Sequence, residues 1–467
     1  MKSQYTDVYG KIHILGDEIK RGGQGVVYRT LNPNIVIKIE LNNDGTVVQT
    51  PNPAYEEIRL LPFPRDLNLT LPLAPLKDVS GYTMYLLDDM YPFSKFFSDK
   101  SNVESEKKNN LYLQQFESNT NEQATEIMKE LTHYISTGGN CLRLEAFFKC
   151  ACLLARLHAA GFVYGDISDN NVFIAKNDEN LIVWLIDSDN VNYQDKTSKK
   201  IFGTPGYNAP ELVEKRFGNT FYSDIYAFAI ACFNELYGCY PFKGQYFIEH
   251  EEDFEFADDA DDKAFSGTLP WILDEIDNSN APTKFSPGEL FFSETKSLMR
   301  IFSRTFSEKG RKNRILRPSM MEWSFILGKE TDSTIRCYNC HMGYNKNYFK
   351  NCPVCDNKTS YIEIISRIQS QKVWNYCKAI QKNKLVNIPL RGIEGLKLES
   401  VDRNAFSIVF KDDAFIFSNF NDEYEFYVVN HENKALIYNE YTFRNNCNFK
   451  CINKSSNIEY LLEIKKV

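Results

Sequence analysis

The 467-residue chain lacks any apolar run approaching the ~20 residues that a membrane-spanning helix needs. Its first ten residues also lack the apolar stretch of a secretory signal. There is no basic excess: 54 Lys and Arg stand against 62 Asp and Glu, a net charge of −8, which argues against a general nucleic-acid binder. No internal repeat is visible. A soluble, cytoplasmic protein without membrane or nucleic-acid partners is the expectation. With 43% hydrophobic and 25% charged residues, wholesale disorder is not expected either. The length exceeds what one core usually serves, so two or three domains are expected.

Disulfides are not expected, despite twelve cysteines. Cys141, Cys150, Cys152, Cys232 and Cys239 lie in apolar, helix-like surroundings, where a free thiol behaves as a small hydrophobe. Cys337, Cys340, Cys352 and Cys355 form two C-x-x-C pairs, which is metal-ligand spacing. Reduced thiols beside a metal site fit a reducing compartment.

Along the chain, residues 26–29 and 35–39 are β-branched runs on either side of the turn signal Asn32-Pro33-Asn34. Residues 55–61 read as a short helix and 141–160 as an apolar one. Residues 98–140 are polar and read as a surface insertion; the acidic stretch 249–262 reads as a solvated loop. Residues 374–384 read as a helix, and 405–464 alternate apolar with polar residues as in a small antiparallel β domain.

Gly22-Gly23-Gln24-Gly25 lies between two strand-like runs, and glycines let backbone N–H groups approach phosphate oxygens without a Cβ in the way. On the next strand Val36 and Lys38 share a face, and a lysine among aliphatics needs a partner for its charge. Phosphate would be one, and a carboxylate on the following helix another. Glu57 fits that helix position, with Glu56 as runner-up. This segment resembles the N-terminal lobe of a eukaryotic-like (Hanks-type) protein kinase. The resemblance implies ATP binding through Gly22, Gly23, Gly25, Val27, Val36, Lys38, Glu57 and Phe173. Lys20 stands where the loop's first glycine is usual, and Val36 where alanine is usual.

Tyr164-Gly165-Asp166-Ile167-Ser168-Asp169-Asn170-Asn171 has an aspartate with an asparagine five residues on, and Leu185-Ile186-Asp187-Ser188-Asp189 follows. Phosphoryl transfer needs a carboxylate to orient the attacking hydroxyl and take its proton, and oxygen ligands for magnesium. The same resemblance gives Asp166 the first role and Asn171 and Asp187 the second. Departures surround them: Tyr164 and Gly165 replace His and Arg, Ser168 replaces a lysine, and Ser188-Asp189 replace Phe-Gly.

A loop of this kind without the arginine also resembles aminoglycoside and choline kinases, and a catalytically dead scaffold is a further alternative. Gly203-Thr204-Pro205-Gly206-Tyr207-Asn208-Ala209-Pro210-Glu211 discriminates, because it resembles the peptide-binding platform of protein kinases. Thr204 implies Ser/Thr specificity, and Glu211 implies a structural ion pair with Arg317. Ser223-Asp224 resembles the buried helix start whose aspartate braces the catalytic loop. With Gly165 in place of the arginine, activity is expected not to depend on phosphorylation of Thr197 or Ser198.

The cysteine pairs are separated by eleven residues and suit a structural zinc knuckle, with His341 an outside candidate ligand. Residues 269–323 followed by such a knuckle are similar to bacterial kinases encoded beside tellurite-resistance-type von Willebrand A proteins and a metal-dependent phosphatase. That likeness implies those two proteins as partners, besides a protein substrate, and a role in stress or phage-defence signalling.

The expected architecture is α+β. It comprises a bilobal kinase domain over residues 1–330, divided into lobes at about 1–90 and 91–330, then a zinc knuckle at 331–360 and a β-rich domain at 361–467. The implied cofactors are ATP, magnesium and zinc.

Overall fold

The computed structural model describes residues 3–23, 25–110, 113–114, 122–176, 181–250, 257–283, 286–289, 295–429, 434–444 and 446–467. Helices and strands are mixed along the chain, and they gather into two compact units. The first comprises Met1–Phe96, Arg156–Ala231 and Asp261–Ser266; the second comprises Phe97–Ala155, Cys232–Ala260 and Gly267–Val467.

In the first unit a six-stranded antiparallel sheet runs in the order Gln4–Thr6, Ile12–Arg21, Gly25–Thr30, Ile35–Glu40, Gly81–Tyr85, Ala74–Pro75. The β-branched runs read from sequence are its third and fourth strands. Val26, Ile37, Ile39, Leu41, Leu76 and Val79 make its core. Register sets Lys38 opposite Val27 on one side and Tyr82 on the other. Gly81 is needed there, because a Cβ would stand 3.2 Å from the Ile39 Cα and 3.0 Å from Leu76 Cδ1.

The same unit holds a hairpin of Val172–Lys176 with Leu181–Leu185, whose register pairs Val172 with Leu185. Asn171 and Ile186 therefore flank the hairpin's open end, joined by an Ile186 N–H bond to the Asn171 carbonyl at 3.0 Å. The strand Phe162–Val163 pairs with Asn192–Tyr193, which fixes the other end of the 164–171 loop.

The second unit contains a helical, aromatic core in which Trp323 packs edge-on against Phe302, with centroids 4.9 Å apart. Helix Met320–Ser333 starts on a capping box formed by Ser319 and Glu322. Two antiparallel sheets, of six and four strands, enclose a core that includes Ile364, Trp374, Phe406, Phe417 and Ile464.

Three readings are corrected. Residues 374–384 are not helical: Gln371–Ala379 is a strand, with Trp374 and Tyr376 both turned into the core. Residues 98–140 are more than a surface insertion. Helix Glu122–Ser136 sends Leu131, Tyr134 and Ile135 into a core shared with Ile335, Met342 and Tyr344. Thr125, Glu126, Lys129 and Glu130 are exposed on the helix's other side, and such polar residues dominate the composition. Within the acidic stretch 249–262, residues 251–256 lie outside the described residues, while Ala257–Phe265 is helical.

Candidate active site

The glycine turn closes by a Gly22 N–H bond to the Gly25 carbonyl at 2.9 Å. A Cβ at Gly25 would meet the Ile39 carbonyl at 3.0 Å and Lys38 Cε at 3.5 Å, so the turn lies directly over the lysine stem. Gly23 has open space around it. Val27 is half-buried and Val36 is buried. Phe173 is half-buried on the hairpin strand next to Asn171.

Lys38 is met by two carboxylates: Asp187 Oδ1 and, at 2.5 Å, Asp189 Oδ2. Asp189 also accepts a hydrogen bond from the Tyr82 hydroxyl at 2.6 Å. Burial by itself would lower the Lys38 pKa, but the charges of Asp189 and then Asp187 more than reverse it, and the ammonium is held protonated. Burial raises the Asp189 carboxyl and Asp187's charge adds to this, with Lys38 opposing.

Glu57 does not join this cluster, which corrects the helix-glutamate pairing. Helix Ala54–Arg59 is six residues long and buries Tyr55 and Ile58, so its glutamates face outward. Glu57 has a 63% exposed side chain, 3.9 Å from Lys196, and Glu56 is bound to Arg59 at 2.6 Å. Pro62 and Pro64 follow closely and discourage the helix from extending.

Asp166 accepts a hydrogen bond from Thr204 Oγ1 at 2.8 Å. The Asn171 amide nitrogen donates to the Asp166 carbonyl at 2.9 Å and to its Oδ2 at 3.1 Å, which turns the amide oxygen away from Asp166. Burial pushes the Asp166 carboxyl above its ordinary range; the Thr204 bond works against this and the Asp187 charge adds to it. Asp187 takes a left-handed backbone, φ 60° and ψ 58°. Such a conformation in a non-glycine residue needs support from its surroundings. Part of that support is the Tyr164 hydroxyl, which donates to the Ile186 carbonyl.

The loop is braced from below. Asp224, in the first turn of helix Phe221–Tyr237, accepts from the N–H groups of Tyr164 and Gly165, both at 2.8 Å, and contacts His158 at 3.0 Å. Gly165 has φ 89°, and a Cβ there would collide with the Phe202 ring. An arginine at this position is therefore excluded twice, by backbone and by space. Asn219, unremarked in sequence, donates to the carbonyls of Gly165 at 2.9 Å and Phe202 at 3.0 Å, fastening the loop to the segment after it. A small cavity lined by Gly165, Asp166, Gly203, Thr204, Tyr207 and Asn208 opens beside Asp166. Glu211 is buried in this unit and Arg317 in the other.

Residues 101–283 match the family model described as protein kinase domain. The match covers less than half of the chain. The matched segment contains Asp166, Asn171, Asp187 and Thr204; the glycine turn and Lys38 precede it. Ribosomal protein S6 kinase alpha-2 of Mus musculus and of Homo sapiens are each 32% identical to this chain over 95 residues, 20% of this chain and 13% of theirs. The aligned stretch is thus a small part of those relatives.

In the second unit, the sulfurs of Cys337, Cys340, Cys352 and Cys355 all lie within 4.8 Å of one another. Cys340 and Cys352 stand 3.4 Å apart and Cys337 and Cys355 3.5 Å apart. A tetrahedron of ~2.3 Å zinc–sulfur bonds has edges of about 3.8 Å, so the four thiols fit that ion. Each knuckle turns through a left-handed residue four positions after its first cysteine, His341 at φ 62° and Asp356 at φ 54°. His341 itself is held by Glu106 at 2.5 Å and is not part of the sulfur cluster. Among the described residues no helix is long and apolar enough to cross a membrane.

Proposed function

We propose that this chain is an ATP- and magnesium-dependent protein kinase that phosphorylates serine and threonine hydroxyls, its own included. The observation that carries the reading is Asp166, hydrogen-bonded at once to Thr204 at 2.8 Å and to Asn171 at 3.1 Å, in the unit that also joins Lys38 to Asp187. Asp166 orients the attacking hydroxyl and takes its proton, Lys38 pairs with phosphate oxygens, and Asn171 and Asp187 would hold magnesium. Magnesium, when bound, neutralises charge on the phosphates. Two carboxylates around one ammonium leave negative charge in excess, which favours a divalent cation.

Thr204 at Asp166 supports a Ser/Thr acceptor, and relatives named as kinases of a ribosomal protein support a protein one. The zinc knuckle has a structural role, since four thiolates leave no open position. The bilobal arrangement, the boundaries at 330 and 360, cytoplasmic placement and the von Willebrand A and phosphatase partners belong to the same reading.

A second reading, a nucleotide-binding scaffold without transfer, is favoured by Ser168: it stands where the family has a lysine, and its hydroxyl is buried without a hydrogen-bond partner. Incubation of the purified chain with terminally labelled ATP and magnesium separates the two. The kinase yields phosphoserine or phosphothreonine; the scaffold binds nucleotide and yields neither.

A further inference from the structure

We propose that Asp189 is the positioning residue for Lys38, in the part that sequence had given to Glu57; this rests on the kinase reading above. Asp189 is held at both oxygens, by Lys38 Nζ at 2.5 Å and by the Tyr82 hydroxyl at 2.6 Å. Tyr82 is fully buried, lies opposite Lys38 in the sheet register, and packs against Tyr55 with centroids 4.7 Å apart. The carboxylate is therefore anchored to the same sheet that carries the lysine.

The backbone delivers it there. Asp187 enters the left-handed region, and the single 3-10 turn Ser188–Asn190 follows, closed by a Val191 N–H bond to the Ser188 carbonyl. This bend brings the carboxylates of Asp187 and Asp189, two positions apart, onto one ammonium.

The two aspartates divide the work. Asp187 has the more exposed side chain, 36% against 21%, and remains available as a metal ligand. Asp189, tied to Tyr82, keeps the ammonium in place. Lys38 is then set by a carboxylate of the loop after the hairpin and not by one from helix Ala54–Arg59, whose glutamates point away and which contributes only through Tyr55 against Tyr82. A glycine or any uncharged residue at 189 would leave the ammonium with Asp187 alone.

The test compares wild type with Asp189→Asn, Asp189→Glu, Tyr82→Phe, Glu57→Ala and Lys38→Ala, using magnesium-ATP affinity by calorimetry and steady-state kinetics against ATP on a casein acceptor. Asp189→Asn keeps the side-chain shape and should weaken magnesium-ATP and lower kcat/KM by about tenfold or more, the usual worth of a charge-assisted bond. Tyr82→Phe should move the same quantities in the same direction by less, and Asp189→Glu should recover part of the loss. Glu57→Ala should match wild type. Unchanged affinity and kinetics in a folded Asp189→Asn, or a loss in Glu57→Ala equal to that in Lys38→Ala, would overturn the assignment. Failure of wild type itself to transfer phosphate would instead refute the kinase reading, while the affinity comparison would still decide the role of Asp189.

Discussion

Replacing Asp224 by alanine should detach the catalytic loop from the helix beneath it. The carboxylate is 1% exposed and accepts from two backbone N–H groups, Tyr164 and Gly165, each at 2.8 Å. Alanine leaves both donors without that acceptor. A buried donor stripped of its partner costs about 1–3 kcal/mol, so the pair amounts to about 2–6 kcal/mol. Against a typical domain stability of about 5–15 kcal/mol, the loop should loosen before the unit unfolds. Asp166 follows Gly165 directly, and a displacement of about 1 Å in a reacting group costs roughly 100-fold in rate. Hydrogen exchange resolved to residues 164–166 should therefore quicken, with kcat down by about two orders of magnitude. Exchange across the strand Tyr361–Ile368 of the other unit should stay as in wild type. Unchanged protection at 164–165 together with full activity would refute the bracing role.

One zinc ion per chain should co-purify by elemental analysis, and Cys340→Ser should lower that occupancy and increase proteolysis near residues 337–355; a fully folded, metal-free wild type would contradict this. Glu330 is buried, which raises its carboxyl above the ordinary 4.5 despite hydrogen bonds from Ser297 and Asn345. The folded state thus holds the proton more tightly than the unfolded one, and this group's contribution is lost as pH rises from 4.5 through the folded value. Glu330→Gln should accordingly raise Tm at neutral pH, with the gain disappearing well below pH 4.5; a gain confined to acid would reverse the sign. Thr197→Ala/Ser198→Ala should keep most activity, as should phosphatase-treated wild type, because Thr197 is 1% exposed and Gly165 supplies no cation for a phosphate. Loss of activity in both would show that the segment is switched by phosphorylation.

Local chemistry made much of the site readable. The glycine turn, the lysine on the following strand, and the spacing of Asp166, Asn171 and Asp187 each reflect short-range geometry, and the first unit brings them together. The cysteine pairs were readable for the same reason. Glu57 was misassigned because the choice between two carboxylates for one lysine depends on which reaches it in space. The cue available was the second aspartate in Asp187-Ser188-Asp189. The strand Gln371–Ala379 was misread as helix because Trp374, Cys377 and Ile380 also recur at helical spacing, and a short apolar run does not settle the period. The polar segment 98–140 hid core residues such as Leu131, Tyr134 and Ile135 because charged neighbours outnumber them.

The most direct test of the central claim is phosphosite mapping by mass spectrometry on phosphatase-treated chain incubated with ATP and magnesium, beside Asp166→Asn. Asp166→Asn keeps the shape of the side chain and removes its capacity to accept the proton. The account predicts serine or threonine phosphorylation in wild type and none above background in the variant. Equal phosphorylation in both, or none in wild type that binds magnesium-ATP, would contradict it.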